Sequence, residues 1–410
     1  MAKIVNVRPV LLSAPYGFEG CAENALHLPH GLRNCSMVEI TLDNGVKGLG
    51  EGYLGVFAPH VFTSIVELIA GAITGDDIGN GFAATVAKAK NVTAYWSLQG
   101  AAQHVISAVE IALVDALART REIPAVELFG GKQVDAIAMY GSGGDSLTPE
   151  AMTTELNQLA KRGIKTIKIR ARHNQVDKTV WTINAAKQHG IGVAVDMTQN
   201  LAVEGQTAEQ VLAFCAEVKA KTDESLVFVE ECLGLDKLEQ LPELAVNDNL
   251  VVAGGEIVTT KEELFERLNK GYYNVIQPDA SVLGGISETI AVCRAAQQSG
   301  VNPVVHSWGG PVAMMANYVA AFATGCNLIE YPMPHFALRH AMCDLEGRIN
   351  NGQFNLGDDI GLGVTLTPEI EAAFPLSEQA VYHCFPLEDG IKQLEQSHQN
   401  WQLPQTINSQ

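Results

Sequence analysis

The sequence predicts an α/β protein: a parallel (β/α) barrel of the TIM type behind a smaller N-terminal α+β unit. Three observations predict it. From about residue 135, short apolar runs alternate with amphipathic helical segments, eight times over roughly 230 residues. Seven successive runs end in a polar group, about one β/α unit apart. No Gly-rich nucleotide turn follows the first run, as an open doubly wound sheet would require.

The N-terminal unit follows a different rhythm. "SMVEITLDNGVKGLGEGY" (36–53) alternates apolar and polar positions around Asn44-Gly45, a two-residue hairpin signal. Helical periodicity then dominates 60–122. Its last stretch, "AAQHVISAVEIALVDALARTREIP" (101–124), is apolar on more than one face, as a helix buried between layers would be. The strand candidates that follow are "AIAMYGS", "TIKIR", "GVAVD", "LVFVE", "LVVAGGE", "NVIQPD", "NPVVHS" and "NLIEYP". Thr148-Pro149-Glu150 reads as a helix cap, a first-turn proline and an acid, with Gly163 closing that helix. Thr260 and Glu263 form a capping-box pattern before a helix closed by Gly271.

Bulk properties narrow the function class. The 410 residues are 47% hydrophobic, so the chain can build a large core and is not a disordered one. The net charge of −19 argues against binding nucleic-acid phosphates broadly, and no uncharged apolar run reaches the ~18 residues of a membrane span. Eight scattered cysteines without a C-x-x-C pair, and no signal-peptide core at the start, read as reduced thiols in a cytoplasmic protein.

Against that acidic background, "IKTIKIRARHN" (164–174) gathers Lys165, Lys168, Arg170, Arg172 and His173. Lys168 and Arg170 are two apart, hence on one face of a strand. They open the series of strand ends: Lys168 and Arg170, Asp196, Glu230, Glu256, Asp279, His306, Glu330. In a (β/α) barrel these ends converge on one mouth. A single polar strand end is ordinary where a chain emerges into water; seven with complementary chemistry are not. Three neighbouring carboxylates repel unless a cation sits between them. An all-oxygen set suits Mg²⁺, whereas zinc recruits His or Cys.

These stretches together resemble the enolase superfamily and, within it, the mandelate racemase subgroup. "VAVDMTQN", "VFVEECLG" and "VAGGEIV" are similar to its three metal-ligand strands, which implicates Asp196, Glu230 and Glu256. "VIQPDASVLGGISE" resembles the strand that supplies an aspartate, Asp279; "NPVVHSWGG" the strand that supplies the histidine, His306; "NLIEYP" the strand with its glutamate, Glu330. The likeness extends to "AVEIALVDALARTREIPAVELFGG" and "DDIGLGVTL". It implies a capping domain over 1–130, a barrel catalytic domain over 131–365, and a C-terminal segment, 366–410, packed back on the cap. In "APYGFEGCAENALHLPHGLRN" (14–34), similar to the family's capping loop, Tyr16, His27, His30 and Arg33 are polar, as contacts to a hydroxylated acid would be. Trp308 either lines the pocket or packs beneath it. Lys165, Arg172 and His173 are expected to be peripheral.

The resemblance implies a Mg²⁺-dependent enzyme in which His306, oriented by Asp279, takes the α-proton of a carboxylic acid. Where the subgroup often ends its second strand Lys-x-Lys, this chain has Lys168-Ile169-Arg170. Arginine keeps its proton, so Arg170 suits charge stabilisation better than proton removal. The expected activity is therefore a lyase: an aldonate or aldarate loses water to give a 2-keto-3-deoxy acid. The alternative is an epimerase, racemase or cycloisomerase of a sugar acid, lactone or anhydro-sugar acid through the same enolate. A third reading is a catalytically silent binding or structural protein. Expected partners are a small acid-sugar substrate and, as a homo-oligomer, further copies of the chain, with no nucleic acid and no membrane.

Overall fold

Strands β1 (Ile4–Pro15), β2 (Leu32–Leu42) and β3 (Lys47–Glu51) form an antiparallel sheet in that order. They open a computed structural model that describes residues 2–143, 145–199 and 205–401. Asn44-Gly45 does turn the chain between β2 and β3, but within a three-residue loop. The Leu42 N–H bonds to the Val46 carbonyl and the Gly45 N–H to the Leu42 carbonyl, both at 2.9 Å. Gly45, at φ +81°, fills the left-handed position that closes such a loop and that disfavours a side chain.

Helix Ala101–Thr120 lies directly on β3. A methyl at Gly50 would come 1.7 Å from the Ala108 carbonyl oxygen, so only glycine lets the helix and strand touch. The helix is long and apolar enough to cross a membrane by length and composition, yet it is a core element: fifteen of its residues are buried. Its second buried face meets the barrel, which is why its apolar positions do not keep to one stripe.

The eight predicted runs become eight parallel strands: β4 (Ile137–Ser142), β5 (Thr166–Arg170), β6 (Gly192–Asp196), β7 (Val229–Glu230), β8 (Val252–Gly254), β9 (Val275–Ile276), β10 (Asn302–Pro303) and β11 (Leu328–Pro332). Neighbours in sequence pair from β4 to β10, and β11 returns to pair with β4. Between β10 and β11 no ladder forms among the described residues. There the Glu330 carboxylate accepts the Ser307 backbone N–H at 2.6 Å instead. A short hairpin, β12 (Ile349–Asn350) and β13 (Gln353–Phe354), pairs antiparallel with the start of β4.

Alternation along the strands sorts the side chains. Ile167, Ile169, Val193, Val195, Val229, Val252 and Ile329 join the main apolar core, while Tyr140, Ala194, Phe228, Ala253, Val275 and Val304 form a separate small cluster. The odd and even positions of each strand thus serve two cores, the outer one against the helices. Each fully buried Ile or Val in that layer contributes roughly 1.5–3 kcal/mol.

Helix starts divide by their chemistry. The Thr148 hydroxyl accepts the Ala151 N–H at 3.2 Å, as its pattern predicts. Thr260 makes no such side-chain bond, and the expected capping box is absent because Glu263 is engaged by Arg267, one turn on, at 2.6 Å. After residue 366 the chain returns to β1, with Glu371 paired to Arg8 at 2.8 Å and the Phe374 carbonyl accepting the Ser13 N–H. It then runs beside the segment 26–27 and brings Trp401 edge-on to Trp181 of the barrel helix Val176–Lys187.

Candidate active site

The inner face of the barrel strands leads straight to a charged mouth. Ala194 is followed two residues on by Asp196, Phe228 by Glu230, Val304 by His306, and Leu328 by Glu330. Two-residue periodicity keeps each pair on one face, so the apolar interior gives way to ionisable groups at one level.

Asp196, Glu230 and Glu256 each present a carboxylate oxygen within 4.8 Å of the other two. Burial raises Asp196 above the usual carboxylate range, and Glu256 adds to this against the pull of Lys168. Burial raises Glu230 well above its range too, with Asp196, Glu256 and Glu330 adding to it against Lys168. Mutual repulsion within the trio thus adds to the cost of burying each charge. Gln277 donates to Glu230 Oε2 at 2.6 Å, fixing that carboxylate and leaving Oε1 beside Lys168 at 2.5 Å. Three held carboxylates with no nitrogen or sulfur among them fit a hard divalent cation.

Lys168 links this trio to Glu330, whose Oε1 lies 3.0 Å from its ammonium. Burial opposes the charge on Lys168, but Glu230 and Glu330 outweigh it and hold the amine protonated. Burial likewise opposes the charge on Glu330; Lys168, His306, the Ser142 hydroxyl and the Ser307 N–H override it and hold the acid down at about 2.

His306 is 6% exposed and stands across the mouth from Lys168. Its Nδ1 is 2.8 Å from Asp279 Oδ2; its Nε2 is 3.4 Å from Glu256 and 3.9 Å from Glu330. The other Asp279 oxygen accepts from the Ser281 N–H, the Ser281 hydroxyl and the Asn317 amide. A carboxylate fixed by three donors fixes the imidazole in turn, proton on Nδ1 and Nε2 toward the mouth. Burial would discharge His306, but Glu330, Glu256 and Asp279 together raise it to about 10.

Arg170 lies 3.1 Å from Asp145, 3.9 Å from Asp196, and 5.0 Å from the ring centroid of Trp308. Burial opposes its charge and Asp145 leads the groups that keep it. Trp308 therefore stacks beneath a cation at the mouth. Lys165 is exposed, while Arg172 donates to the Thr198 hydroxyl and His173 bonds to Gln206.

The loop residues expected to contact substrate have partners within the protein or face solvent. Tyr16 is buried and its hydroxyl is spent on Glu23 at 2.6 Å. His27 bonds through Nδ1 to the His383 carbonyl and stacks on Tyr382, with Phe57 and Tyr53 continuing a chain of rings toward His306. His30 is exposed at the turn before β2. Sequence reading passed over Asp145, Gln277 and Tyr53. Gln277 carries the same two-residue signal, midway between Val275 and Asp279; Asp145 lies just past the one strand, β4, to which no end group was assigned; Tyr53 gives no signal in sequence.

With this geometry the chain falls into a known class. Residues 30–130 match the mandelate racemase/muconate lactonizing enzyme N-terminal domain, and residues 151–370 match the enolase C-terminal domain-like family; the chain belongs to this branch of the enolase superfamily. Over 284 residues it is 25% identical to an arabinonate dehydratase of Saccharolobus solfataricus, covering 68% of this chain and 74% of that one. Over 222 residues it is 28% identical to a D-galactonate dehydratase of Variovorax paradoxus, covering 52% and 56%. Its fold is similar to that of the 3,6-anhydro-D-galactonate cycloisomerase of Zobellia galactanivorans, with a TM-score of 0.77 and 21% identity over 91% of this chain and 100% of that one.

Proposed function

We propose that this protein is a Mg²⁺-dependent dehydratase of acid sugars, taking an aldonate or aldarate to a 2-keto-3-deoxy acid. The observation that carries the reading is the asymmetry of the mouth: one titratable base, His306, faces two side chains held as cations, Lys168 and Arg170. The dehydratases among the relatives support the same class. Asp196, Glu230 and Glu256 would hold the Mg²⁺, which when bound neutralises the substrate carboxylate and the charge that develops on it.

His306 Nε2 takes the α-proton, because Asp279 keeps the other nitrogen protonated. With Glu256 engaged as a ligand, His306 loses one of the carboxylates that raise it and comes closer to a working base. The C–H electron pair moves into the carboxylate group, where Arg170 and Lys168 supply fixed positive charge. The pair then returns to form the C2–C3 double bond and expels the β-hydroxyl, which accepts the proton from His306 and leaves as water. The enol tautomerises to the 2-keto acid. An epimerase needs a second base on the opposite face; Arg170, paired with Asp145 and permanently charged, does not provide one.

The test is a stereochemically complete acid-sugar library incubated with the protein and Mg²⁺, read as 2-keto acid formation. At least one member is dehydrated. Absence of both turnover and α-proton exchange on every acid would overturn the reading.

A further inference from the structure

A cavity distinct from the mouth lies on the far side of β11. Glu330 faces the mouth, and strand alternation turns its neighbour Tyr331 the other way. There Arg162, Tyr331, His335, Arg339 and His340 line a space of about 350 Å³ between β11, the end of helix Pro149–Arg162 and helix Ala337–Met342. Four of these five groups are basic, and among the described residues no carboxylate lines the space. In a chain where acids outnumber lysines and arginines 46 to 27, that lining runs against the composition.

Among the described residues, one carboxylate pairs with these four groups. Glu346 takes one nitrogen of Arg162 at 2.9 Å, while Arg162 rests over the Tyr331 ring and its Nε has no partner. The Arg339 guanidinium gives its hydrogen bonds to backbone carbonyls, those of Gly309, Pro332 and Pro334, so no acid neutralises it. The rings of His335 and His340 stack at 5.0 Å; both residues are exposed, so solvent reaches the space there. Burial lowers His340, His335 lowers it further, and Arg339 and Arg162 add to this against Glu346. Basic groups gathered in this way repel one another, and an anion among them relieves the repulsion.

The arrangement selects the anion. Donors converge from three elements: Arg162 from the end of one helix, Tyr331 from β11, and the two imidazoles from the start and interior of the segment 335–342. Such convergence suits the three oxygens of a phosphoryl group better than the single plane of a carboxylate. Past Gln158, Met333 and His335 the surface continues into a depression lined by Glu19, Glu150 and Glu155, which repels a long polyanion. The volume sits at the small end of the range that takes small molecules. We propose that this cavity binds a phosphoryl group, as free phosphate or as the end of a small phosphate ester, at a site separate from the mouth.

The test is calorimetry on the full chain without Mg²⁺, titrated with inorganic phosphate, glucose 6-phosphate and glucose. Both phosphates should bind and glucose should not. Tighter binding of the ester assigns the rest of the cavity to the body of the ligand; equal binding assigns the site to the free ion. Arg162→Met should weaken binding about tenfold or more, in line with the loss of a charge-assisted hydrogen bond. The double variant His335→Asn with His340→Asn changes exposed positions, so it keeps its fold and reads the site even if Arg162→Met does not fold. It should bind about tenfold more weakly as well. Arg170→Met, altered at the mouth, should bind phosphate as wild type does. Failure of wild type to bind either phosphate would overturn the proposal. So would affinity unchanged in the double histidine variant, binding lost in Arg170→Met, or glucose bound as tightly as its phosphate.

Discussion

Along the seam between the N-terminal unit and the barrel, buried carboxylates meet backbone. Glu51 accepts the Gly310 and Ala313 N–H groups at the start of helix Pro311–Thr324. Glu110 accepts those of Ile286 and Ser287 at the start of helix Ile286–Gln298, and Asp115 those of Leu49 and Leu362. At the mouth, the buried Asp196 and Glu230 and the half-buried Glu256 meet one another and two cations, Lys168 and Arg170. The seam acids are satisfied by donors that cannot leave, and helix N-termini favour negative charge. The mouth acids are over-supplied with like charge and need an outside cation. Burial of an acid therefore does not mark a site; the kind of partner it has does.

The contrast breaks most readily on charge removal. Asp196→Asn lowers activity by about 10³-fold or more, since the developing charge loses its stabilisation. It also abolishes the rise in Tm that Mg²⁺ gives wild type, while leaving the metal-free Tm unchanged or higher, because a raised carboxyl no longer has to ionise in the fold. Glu51→Gln does the reverse: it costs about 2–4 kcal/mol of stability by opposing an amide to two N–H donors, and Mg²⁺ still raises its Tm. Thermal melts of both variants with and without Mg²⁺ check this; matching responses would erase the distinction.

Arg170→Lys sharpens the account of the mouth. It keeps a charge and loses the fork, so turnover falls about 10²-fold. Steady-state kinetics on the library hit reads the change, and a variant as active as wild type would remove Arg170 from the chemistry.

The seam has its own pH dependence. Burial pushes Glu110 up to about 7 against the Ser287 hydroxyl and the Ser287 and Ile286 N–H groups. A folded value above the unfolded one, near 4.3, means that its contribution is complete below 4.3 and is lost as pH rises through about 7. At about 1.4 kcal/mol per unit, wild type should lose up to about 3 kcal/mol more than Glu110→Gln between pH 5 and 8. Urea midpoints for the two proteins measure the difference, and parallel curves would contradict it.

The smallest effect compares two threonines that both stand at helix N-caps. Thr148→Ala removes a bond to the Ala151 N–H and costs about 1 kcal/mol, whereas Thr260→Ala, with no such bond to lose, stays within about 0.5 kcal/mol. Unfolding of both variants separates them.

That pair also shows where sequence stops being legible. Patterns with local causes carry through: alternation in "TIKIR" and "GVAVD" places Lys168, Arg170 and Asp196 on the inner face, and the repeat of β/α units brings their ends to one mouth. What depends on a neighbour distant in sequence does not. Glu263 forms no capping box because it pairs with Arg267, and the Tyr16 hydroxyl is taken up by Glu23. Asp145 finds Arg170 across a loop, a pairing that no linear motif can express.

The central claim is that one base serves this mouth, and α-proton exchange in deuterated water with Mg²⁺ tests it directly. Wild type should exchange the α-proton of substrates of one configuration only. His306→Asn should exchange none, and Arg170→Met should retain exchange at a reduced rate. Exchange from both α-configurations in wild type, or exchange that survives in His306→Asn and vanishes in Arg170→Met, would contradict the assignment of His306 as the single base.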